Sequence, residues 1–247
     1  DGADGSTKFT DETGKTVTVH GNAQIGTSES KFGGASGLFD GTGDYLSLAD
    51  SNDWNFGTGD FTIDFWVRFN STVNAQSLYD QTVGSNYVSI YWDEIYMNFV
   101  ARSDGTFVAQ YRFPGNFSAN TWYHLAFVRS GTSFYMFLDG TLMPYTTFDA
   151  IGSNTMPDLA APLDIGYVSA WSGRSFNGWL DEFRISKGIA RTFSNVSSGI
   201  NRTYYSTDGS TPNILYTGPF TLSDEGTYTI KFYSIDPEHT TSTAAYR

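Results

Sequence analysis

Two places in the sequence put aromatic rings beside charged groups, which is the chemistry of sugar recognition. The segment from Tyr167 to Arg174 carries Trp171 among small polar residues, and Tyr91 and Trp92 stand directly before two acidic residues. The apolar C–H faces of sugars stack on exposed rings, and their hydroxyls hydrogen-bond to Arg, Asn and Asp. The pattern predicts carbohydrate contact through Trp171, Tyr167, Arg174, Tyr91 and Trp92. For Trp171 the alternative is packing within its loop, since Trp is usually mostly buried.

Hydrolysis needs carboxylate pairs that the sequence does not supply. A retaining glycosidase aims two carboxyl groups, about 5 Å apart, at the same bond. The adjacent pairs Asp93–Glu94 and Asp181–Glu182 would face opposite sides of a strand. The three His, the absence of Cys, and the lack of Gly-x-Ser-x-Gly and His-Glu-x-x-His motifs leave no recognisable triad or zinc site. We therefore expect no enzyme, with an unfamiliar hydrolase as the remaining alternative.

The composition favours a β-rich protein outside the cell. The 247 residues include 17% aromatics, 26 Gly and 7 Pro, which suits many short strands joined by turns. The net charge of −12 disfavours nucleic acid, because no Lys/Arg cluster could neutralise phosphates. No stretch approaches the ~18 apolar residues of a membrane span, and the absence of Cys excludes disulfides and favours a microbial or phage source. We expect a protein that is secreted, at an extracellular surface or in a virion, and that neither binds nucleic acid nor inserts into a membrane.

Alternating residues predict the strands that must position these groups. Phe61–Phe69 has a period of two, which indicates a strand with one face in the core. Turn signals inside Leu38–Leu48, and between Trp122–Arg129 and Ser133–Leu138, predict hairpins, with Asp139–Gly140 as a further turn. About ten to twelve such strands, with no helical segment between them, predict an all-β, antiparallel jelly-roll sandwich over residues 1–193.

The composition and the apolar–polar pattern of the sequence change after Ile185. The Ser/Asn/Gly-rich stretch Ser194–Gly199 precedes a new alternation that begins near Thr203 and ends with Gly226–Asp236. Residues 194–247 are therefore predicted to form a second, small β module. About 50 residues are marginal on their own, so we expect this module to pack on the first domain.

Five runs stand in a characteristic order: Lys31–Gly41, Gly59–Val67, Trp122–Arg129, Leu138–Gly140 and Phe176–Ile185. Together they resemble the laminin G-like, concanavalin A-like lectin/glucanase superfamily over roughly residues 1–193. The resemblance implies a jelly roll of two large curved sheets and does not by itself imply a function. The enzymes of that superfamily carry Glu-x-Asp-x-x-Glu or Glu-x-Asp-x-Glu, and no such run exists here.

The resemblance also implies a structural calcium site. The glucanase branch holds Ca²⁺ with an Asp of the final strand and with backbone carbonyls near the N-terminus, and Asp181 matches that Asp. Asp40 and Gly43, in one Gly-rich turn, and Asp4 supply further oxygens, and Ca²⁺ takes six to eight of them. The alternative is that the turn residues form local hydrogen bonds and that Asp181 pairs with an Arg.

Both ends of the chain add expectations. Thr203–Pro212 followed by Leu215–Phe220 resembles the small immunoglobulin-like module at the C-terminus of chitobiases and many bacterial surface proteins. The hydrophobic strand that laminin G-like relatives carry just before the position of Asp1 is missing. Either the sequence is a fragment, or that strand comes from a neighbouring molecule that pairs with an open sheet edge.

Two functional hypotheses follow. The first is a non-catalytic carbohydrate-binding or adhesion module, whose partner is a polysaccharide or glycan. The second is a structural subunit of an extracellular filament or virion, which assembles with copies of itself by strand exchange at the open edge.

Overall fold

The computed structural model describes residues 2–168, 174–193, 202–207, 210, 214–215, 229–236 and 239–246. The chain divides into two compact units, Asp1–Thr192 and Phe193–Arg247. Within the described ranges, no helix is long and apolar enough to cross a membrane.

The first unit is a sandwich of two antiparallel sheets. In spatial order, the eight-stranded sheet consists of β1 (Val17–His20), β4 (Tyr45–Leu48), β14 (Leu163–Ile165), β6 (Gln76–Val83), β7 (Asn86–Trp92), β8 (Tyr96–Ser103), β9 (Thr106–Pro114) and β13 (Thr146–Asp149). The seven-stranded sheet consists of β12 (Thr141–Leu142), β11 (Ser133–Leu138), β10 (Trp122–Ser130), β5 (Phe61–Phe69), β15 (Asn177–Lys187), β3 (Ser36–Asp40) and β2 (Gln24–Gly26). The predicted all-β, antiparallel sandwich is confirmed.

The core lies between the two sheets and is rich in phenylalanine. Five alternate residues of β5 are fully buried, as their period predicts: Phe61, Ile63, Phe65, Val67 and Phe69. Ring contacts join the sheets, because Phe99 of β8 lies 6.1 Å from Phe61 and 4.5 Å from Phe134 of β11. Burying one such ring stabilises the fold by roughly 1.5–3 kcal/mol. The apolar faces of both sheets are thereby turned inward, which leaves their other faces for polar groups.

A β-bulge in β15 decides which of its side chains reach the core. The register against β5 shifts between Asp181 and Arg184, and Glu182 takes a φ of 49°. The extra residue turns Phe183 inward, where its ring stacks on that of Phe65 at 5.0 Å. A regular strand would direct Phe183 away from the core.

Residues near the N-terminus lie along the outer edge of β2. The N–H of Gly5 donates to the carbonyl of Ile25 at 2.8 Å, and the N–H of Ile25 donates to the carbonyl of Ser6 at 2.7 Å. The Asp4 carboxylate accepts a hydrogen bond from the N–H of Thr27. Over these residues the edge is paired within the chain and is not open.

The second unit contains a four-stranded antiparallel sheet. Its spatial order is β17 (Ile214–Leu215), β16 (Arg202–Ser206), β18 (Ile230–Asp236) and β19 (His239–Tyr246). The sequence indicated the first three of these strands. It did not indicate β19, whose Thr, Ser and Ala residues show no alternation of apolar and polar positions.

Candidate ligand-binding face

The face of the eight-stranded sheet that points away from the core carries polar side chains; we call it the polar face. One row of residues crosses it in register: Thr18, Ser47, Asp164, Asp80, Ser89, Val100 and Gln110. Because successive side chains of a strand point to opposite faces, the neighbours Leu46, Leu163 and Ile90 are buried in the core. The polar face therefore assembles groups that are far apart in the sequence.

Three stacked rings lie at the β1–β4 end of the polar face. His20 and Tyr45 pair in register with ring centroids 4.0 Å apart, and Tyr45 stacks on Tyr167 at 4.8 Å. The segment that presents Tyr167 is attached to β6, since the N–H of Gly166 donates to the carbonyl of Leu78. All three rings are half-buried. The stack therefore offers aromatic surface of the kind on which a sugar ring packs.

Arg174 and Tyr91 meet on the same face. The guanidinium carbon of Arg174 lies 4.8 Å from the centroid of the Tyr91 ring. The carbonyl of Arg174 accepts a hydrogen bond from the N–H of Ser77 at 3.1 Å, which attaches this residue to β6 as well. Burial raises the pKa of Tyr91, and the charge of Arg174 offsets this only in part. A neutral phenol beside a guanidinium provides both donors and an acceptor for sugar hydroxyls.

The structure thus brings together three of the five residues predicted to contact sugar: Tyr167, Arg174 and Tyr91. Trp171 lies outside the described residues. Their role as ligand-binding residues stays a prediction.

Trp92 is corrected to a core residue. Its side chain is only 2% exposed and packs against Phe69 and Phe117. Its indole N–H donates to the carbonyl of Thr72 at 3.0 Å. Since adjacent residues of a strand face opposite sides, the position of Tyr91 on the polar face forces Trp92 inward, where a sugar cannot reach it.

A second aromatic–arginine cluster lies at the other end of the polar face and was missed in the sequence. The guanidinium carbon of Arg112 is 4.1 Å from the ring centroid of Tyr96 and 4.6 Å from that of Phe148. Phe148 is 49% exposed. The three residues come from β9, β8 and β13, so only the pairing of these strands reveals the cluster. Aromatic surface beside a guanidinium therefore occurs at both ends of the face.

Two carboxylates face each other in the middle of the polar face. Asp80 of β6 pairs directly with Asp164 of β14. Burial and the charge of Asp164 raise the pKa of Asp80 to about 7, although the hydroxyls of Thr82 and Ser89 act in the opposite direction. Burial likewise raises the pKa of Asp164. Asp80 is 1% exposed, so its carboxylate lies beneath the solvent-accessible surface of the polar face. The signal for Asp164 was present in the sequence, since it alternates with the apolar Leu163 and Ile165 of β14.

The four predicted calcium ligands do not come together. Oδ2 of Asp181 accepts the N–H groups of Lys31 at 2.7 Å and Phe32 at 3.0 Å. Asp40 pairs with Asn177, which lies four residues before Asp181 on β15. The backbones of Asp40 and Asp181 are therefore about 13 Å apart along the strand direction. Calcium–oxygen distances are about 2.3–2.6 Å. One ion therefore cannot bind both.

The remaining predicted ligands are also engaged locally. Asp4 accepts from Thr27, and Oδ1 of Asp40 accepts the N–H of Thr42. Gly43 is attached through its N–H, which donates to the hydroxyl of Ser175 and leaves its carbonyl oxygen out of that bond. In the part of the chain that the structure describes, no group of three or more His, Asp or Glu residues could hold a metal ion. Asp181, Asp40, Gly43 and Asp4 therefore do not form the calcium site that the resemblance implies. Asp40 instead forms a local hydrogen bond within its turn, which was the alternative prediction from the sequence.

The sandwich fold of the first unit agrees with a family match. Residues 40–197 match the laminin G model of the concanavalin A-like lectin/glucanases superfamily. The chain belongs to this superfamily. Residues 196–246 match a second model, described as Fn3 associated. The finer resemblance of this unit to a chitobiase-type immunoglobulin-like module stays a prediction.

Several solved structures share the fold at low sequence identity. The botulinum neurotoxin serotype G binding domain is 12% identical with a TM-score of 0.57, over 90% of this chain and 69% of its own. Domain 4 of AbnA, a GH43 extracellular arabinanase from Geobacillus stearothermophilus in complex with arabinotriose, is 17% identical with a TM-score of 0.53, over 72% and 84%. At these identities the likeness shows the fold alone. A search of the curated proteins finds no match.

Proposed function

We propose that the chain is a non-catalytic carbohydrate-binding module and that the polar face is its binding surface. The observation that carries the proposal is the meeting of the Tyr45–Tyr167 stack and the Arg174–Tyr91 pair on one sheet face. Rings supply stacking surface, and the guanidinium supplies several donors in a fixed plane. The arabinanase domain that shares the fold was solved with arabinotriose, which supports a glycan as the class of ligand.

The Tyr45–Tyr167 stack and the Arg174–Tyr91 pair, the two proposed anchors, are both attached to strand β6. Gly166, next to Tyr167, bonds to Leu78, and Arg174 bonds to Ser77, so both residues attach to adjacent positions of β6. Adjacent Cα atoms are about 3.8 Å apart. The ring stack and the guanidinium are therefore attached to neighbouring backbone positions of one strand, from which we infer that a single glycan chain contacts both.

A binding role is favoured over hydrolysis by the depth of the acidic pair. A glycosidase needs two carboxyl groups that reach the same glycosidic bond. Asp80 and Asp164 are paired on this face, but the burial of Asp80 keeps it from a bound polysaccharide. The proposed setting is outside the cell, which the acidic composition supports.

Glycan binding is expected to weaken about two- to tenfold in Tyr167→Ala and about tenfold or more in Arg174→Ala. The chain is first screened against immobilised arabinan, xylan and β-glucan, and affinity for oligosaccharides of the retained polymer is measured by calorimetry. Tyr167→Ala removes ring stacking worth about 0.5–1.5 kcal/mol, and Arg174→Ala removes charged hydrogen bonds worth about 1.5–3 kcal/mol.

Phe32→Ala is the matched control, because Phe32 is an exposed ring that contacts Trp66 on the other sheet. It should leave affinity unchanged. The proposal would be contradicted if both polar-face variants bound the glycan as tightly as the wild type. It would also be contradicted if none of the immobilised polymers retained the wild-type protein.

The alternative of a self-assembling structural subunit has less support. The edge of β2 is partly paired by the chain's own Gly5 and Ser6, so strand exchange there would first have to displace them. Light scattering over a dilution series distinguishes the two functions, since oligomers that persist on dilution would favour assembly.

A further inference from the structure

Arg112 carries a guanidinium on the polar face that no described carboxylate neutralises. Its guanidinium carbon lies 4.1 Å from the ring centroid of Tyr96 and 4.6 Å from that of Phe148. Its Nε is buried and has no hydrogen-bond partner among the described residues. Within the described ranges, Arg112 also takes part in no ion pair. Buried polar atoms normally find a partner, so this side chain points to a ligand that supplies acceptors.

The acidic side chain beside this cluster is already engaged. Asp93 follows β7, where Oδ1 accepts the N–H groups of Ile95 and Tyr96, and Oδ2 accepts the amide of Asn98. The chain has 26 acidic residues against 14 Lys and Arg, so an arginine outside any described ion pair is unexpected. The two rings hold the guanidinium of Arg112 by cation–π contact. A planar fork of donors is thereby fixed in place for an acceptor from outside the chain.

Arg112 lies in line with one of the proposed anchors. Tyr91 of β7 pairs with Asn98 of β8, and Asn98 pairs with Arg112 of β9. Neighbouring strands are about 4.8 Å apart, so the backbones of Tyr91 and Arg112 are roughly 10 Å apart across the sheet. A glycan that contacts the Arg174–Tyr91 pair and runs across the strands therefore reaches Arg112.

We propose that Arg112 binds the carboxylate of a uronic acid, and that the ligand of the polar face is a polysaccharide that bears uronic acids. A guanidinium matches a carboxylate with two parallel hydrogen bonds. The exposed ring of Phe148 offers packing surface to the sugar that carries this carboxylate. Arg102, which pairs with Tyr87 on the same face, also has a buried Nε without a partner among the described residues, and it adds positive charge. This inference rests on the proposed function and specifies the class of glycan.

Glucuronoxylan and polygalacturonate are the probes, each compared with the same polymer after reduction of its carboxyl groups to alcohols. The wild type is expected to bind at least one acidic polymer about tenfold more tightly than its reduced form, because reduction removes charged hydrogen bonds. Arg112→Gln keeps part of the side chain and removes its charge. This variant should bind the acidic polymer only as weakly as the wild type binds the reduced one. Arg112→Lys should lose part of the preference, since an ammonium cannot form the paired hydrogen bonds.

Arg68→Gln is the matched control, because it removes the same charge from β5 in the other sheet. It should keep the full preference for the acidic polymer, and circular dichroism checks that all variants are folded. Equal affinity of the wild type for acidic and reduced polymers would overturn this inference and leave the proposed function standing. A preference that persists in Arg112→Gln would do the same.

Dextran sulfate tests the choice of a carboxylate. If Arg112→Gln weakens binding of dextran sulfate as much as binding of the uronic acid polymer, the site selects anions in general and the choice is wrong. Retention of the wild type by neither acidic nor neutral polymers would contradict the proposed function together with this inference.

Discussion

Arg184→Ala is expected to lower the free energy of unfolding by about 3 kcal/mol or more at pH 7. Arg184 donates two hydrogen bonds to Asp64, from Nε to Oδ1 at 3.0 Å and from a terminal nitrogen to Oδ2 at 2.6 Å. Asp64 lies on the central strand β5 and is almost fully buried. Removing one partner of a buried ion pair costs about 3–5 kcal/mol because the other charge stays in a poor solvent. Urea unfolding followed by Trp fluorescence measures this loss in the first unit, which holds all six Trp residues.

The effect of Arg184→Ala should also depend on pH. Burial pushes the pKa of Asp64 upward, but the hydrogen bonds and charges of His124 and Arg184 outweigh it, so the pKa lies below its ordinary value of 3.8. A carboxyl group whose pKa is lowered by folding stabilises the folded state at pH values above the pKa that it has in the unfolded chain. That contribution is lost as the pH falls through the pKa of the group in the folded protein. The difference between wild type and variant should therefore shrink from pH 7 to pH 3. A difference that stays constant would contradict an electrostatic cause.

Two comparisons isolate the buried pair. Arg68→Ala removes an arginine from the partly exposed ion pair with Glu29 and should cost about 1 kcal/mol or less. Replacing Asp64 and Arg184 together by Leu should recover part of the stability lost in Arg184→Ala, because the buried carboxylate is removed together with its arginine. Recovery is incomplete because buried His124 also loses its contact with Asp64.

The sequence was most informative where a local pattern determines local structure. The alternation in Phe61–Phe69 predicted both the strand β5 and its buried face. Asp139 and Gly140 both adopt positive φ, 50° and 71°, as a tight hairpin turn requires. They join β11 to β12, which confirms that turn prediction.

The strand β6 shows why the candidate site could not be predicted as well as the fold. Gln76–Val83 is largely polar, and no strand was expected there, yet it lies inside the eight-stranded sheet. Some of its polar side chains bond to distant backbone; the amide of Gln81, for example, donates to the carbonyls of Leu159 and Ala161. Such partners, about 80 positions away, leave no trace in a hydrophobic pattern. Asp80 was missed together with the strand that carries it.

Strand register, more than residue type, decided the outcome for the predicted site residues. Tyr91 and Trp92 looked equivalent in the sequence, but the pleat sends one to the polar face and the other to the core. The bulge at Glu182 has the same origin, because the extra residue in β15 appears only against β5. Residue types therefore identified a sugar-compatible chemistry, and strand pairing selected the side chains that can perform it.

Arg129→Met is expected to cost about 4 kcal/mol of stability, although Arg129 has no ion-pair partner among the described residues. Arg129 is 1% exposed and donates from its three nitrogens to three backbone carbonyls: Gly131 at 3.0 Å, Gly57 at 3.1 Å and Gly152 at 3.1 Å. Gly57 lies before β5, Gly131 lies between β10 and β11, and Gly152 lies between β13 and β14. The three carbonyls therefore belong to three different connections. Methionine fills much of the space but leaves the three carbonyls without this donor, and each such loss costs about 1–3 kcal/mol.

Arg129→Lys tests whether geometry or charge holds these connections together. Lysine keeps the positive charge, but its single ammonium cannot reproduce a planar fork that reaches three loops. We expect the stability of Arg129→Lys to lie between those of the wild type and Arg129→Met. Amide hydrogen exchange near Gly57 and Gly152 should be faster in both variants than in the wild type. If Arg129→Lys is as stable as the wild type, charge alone suffices. If Arg129→Met costs less than 1 kcal/mol, the three loops are held by other contacts, and the guanidinium is not their common anchor.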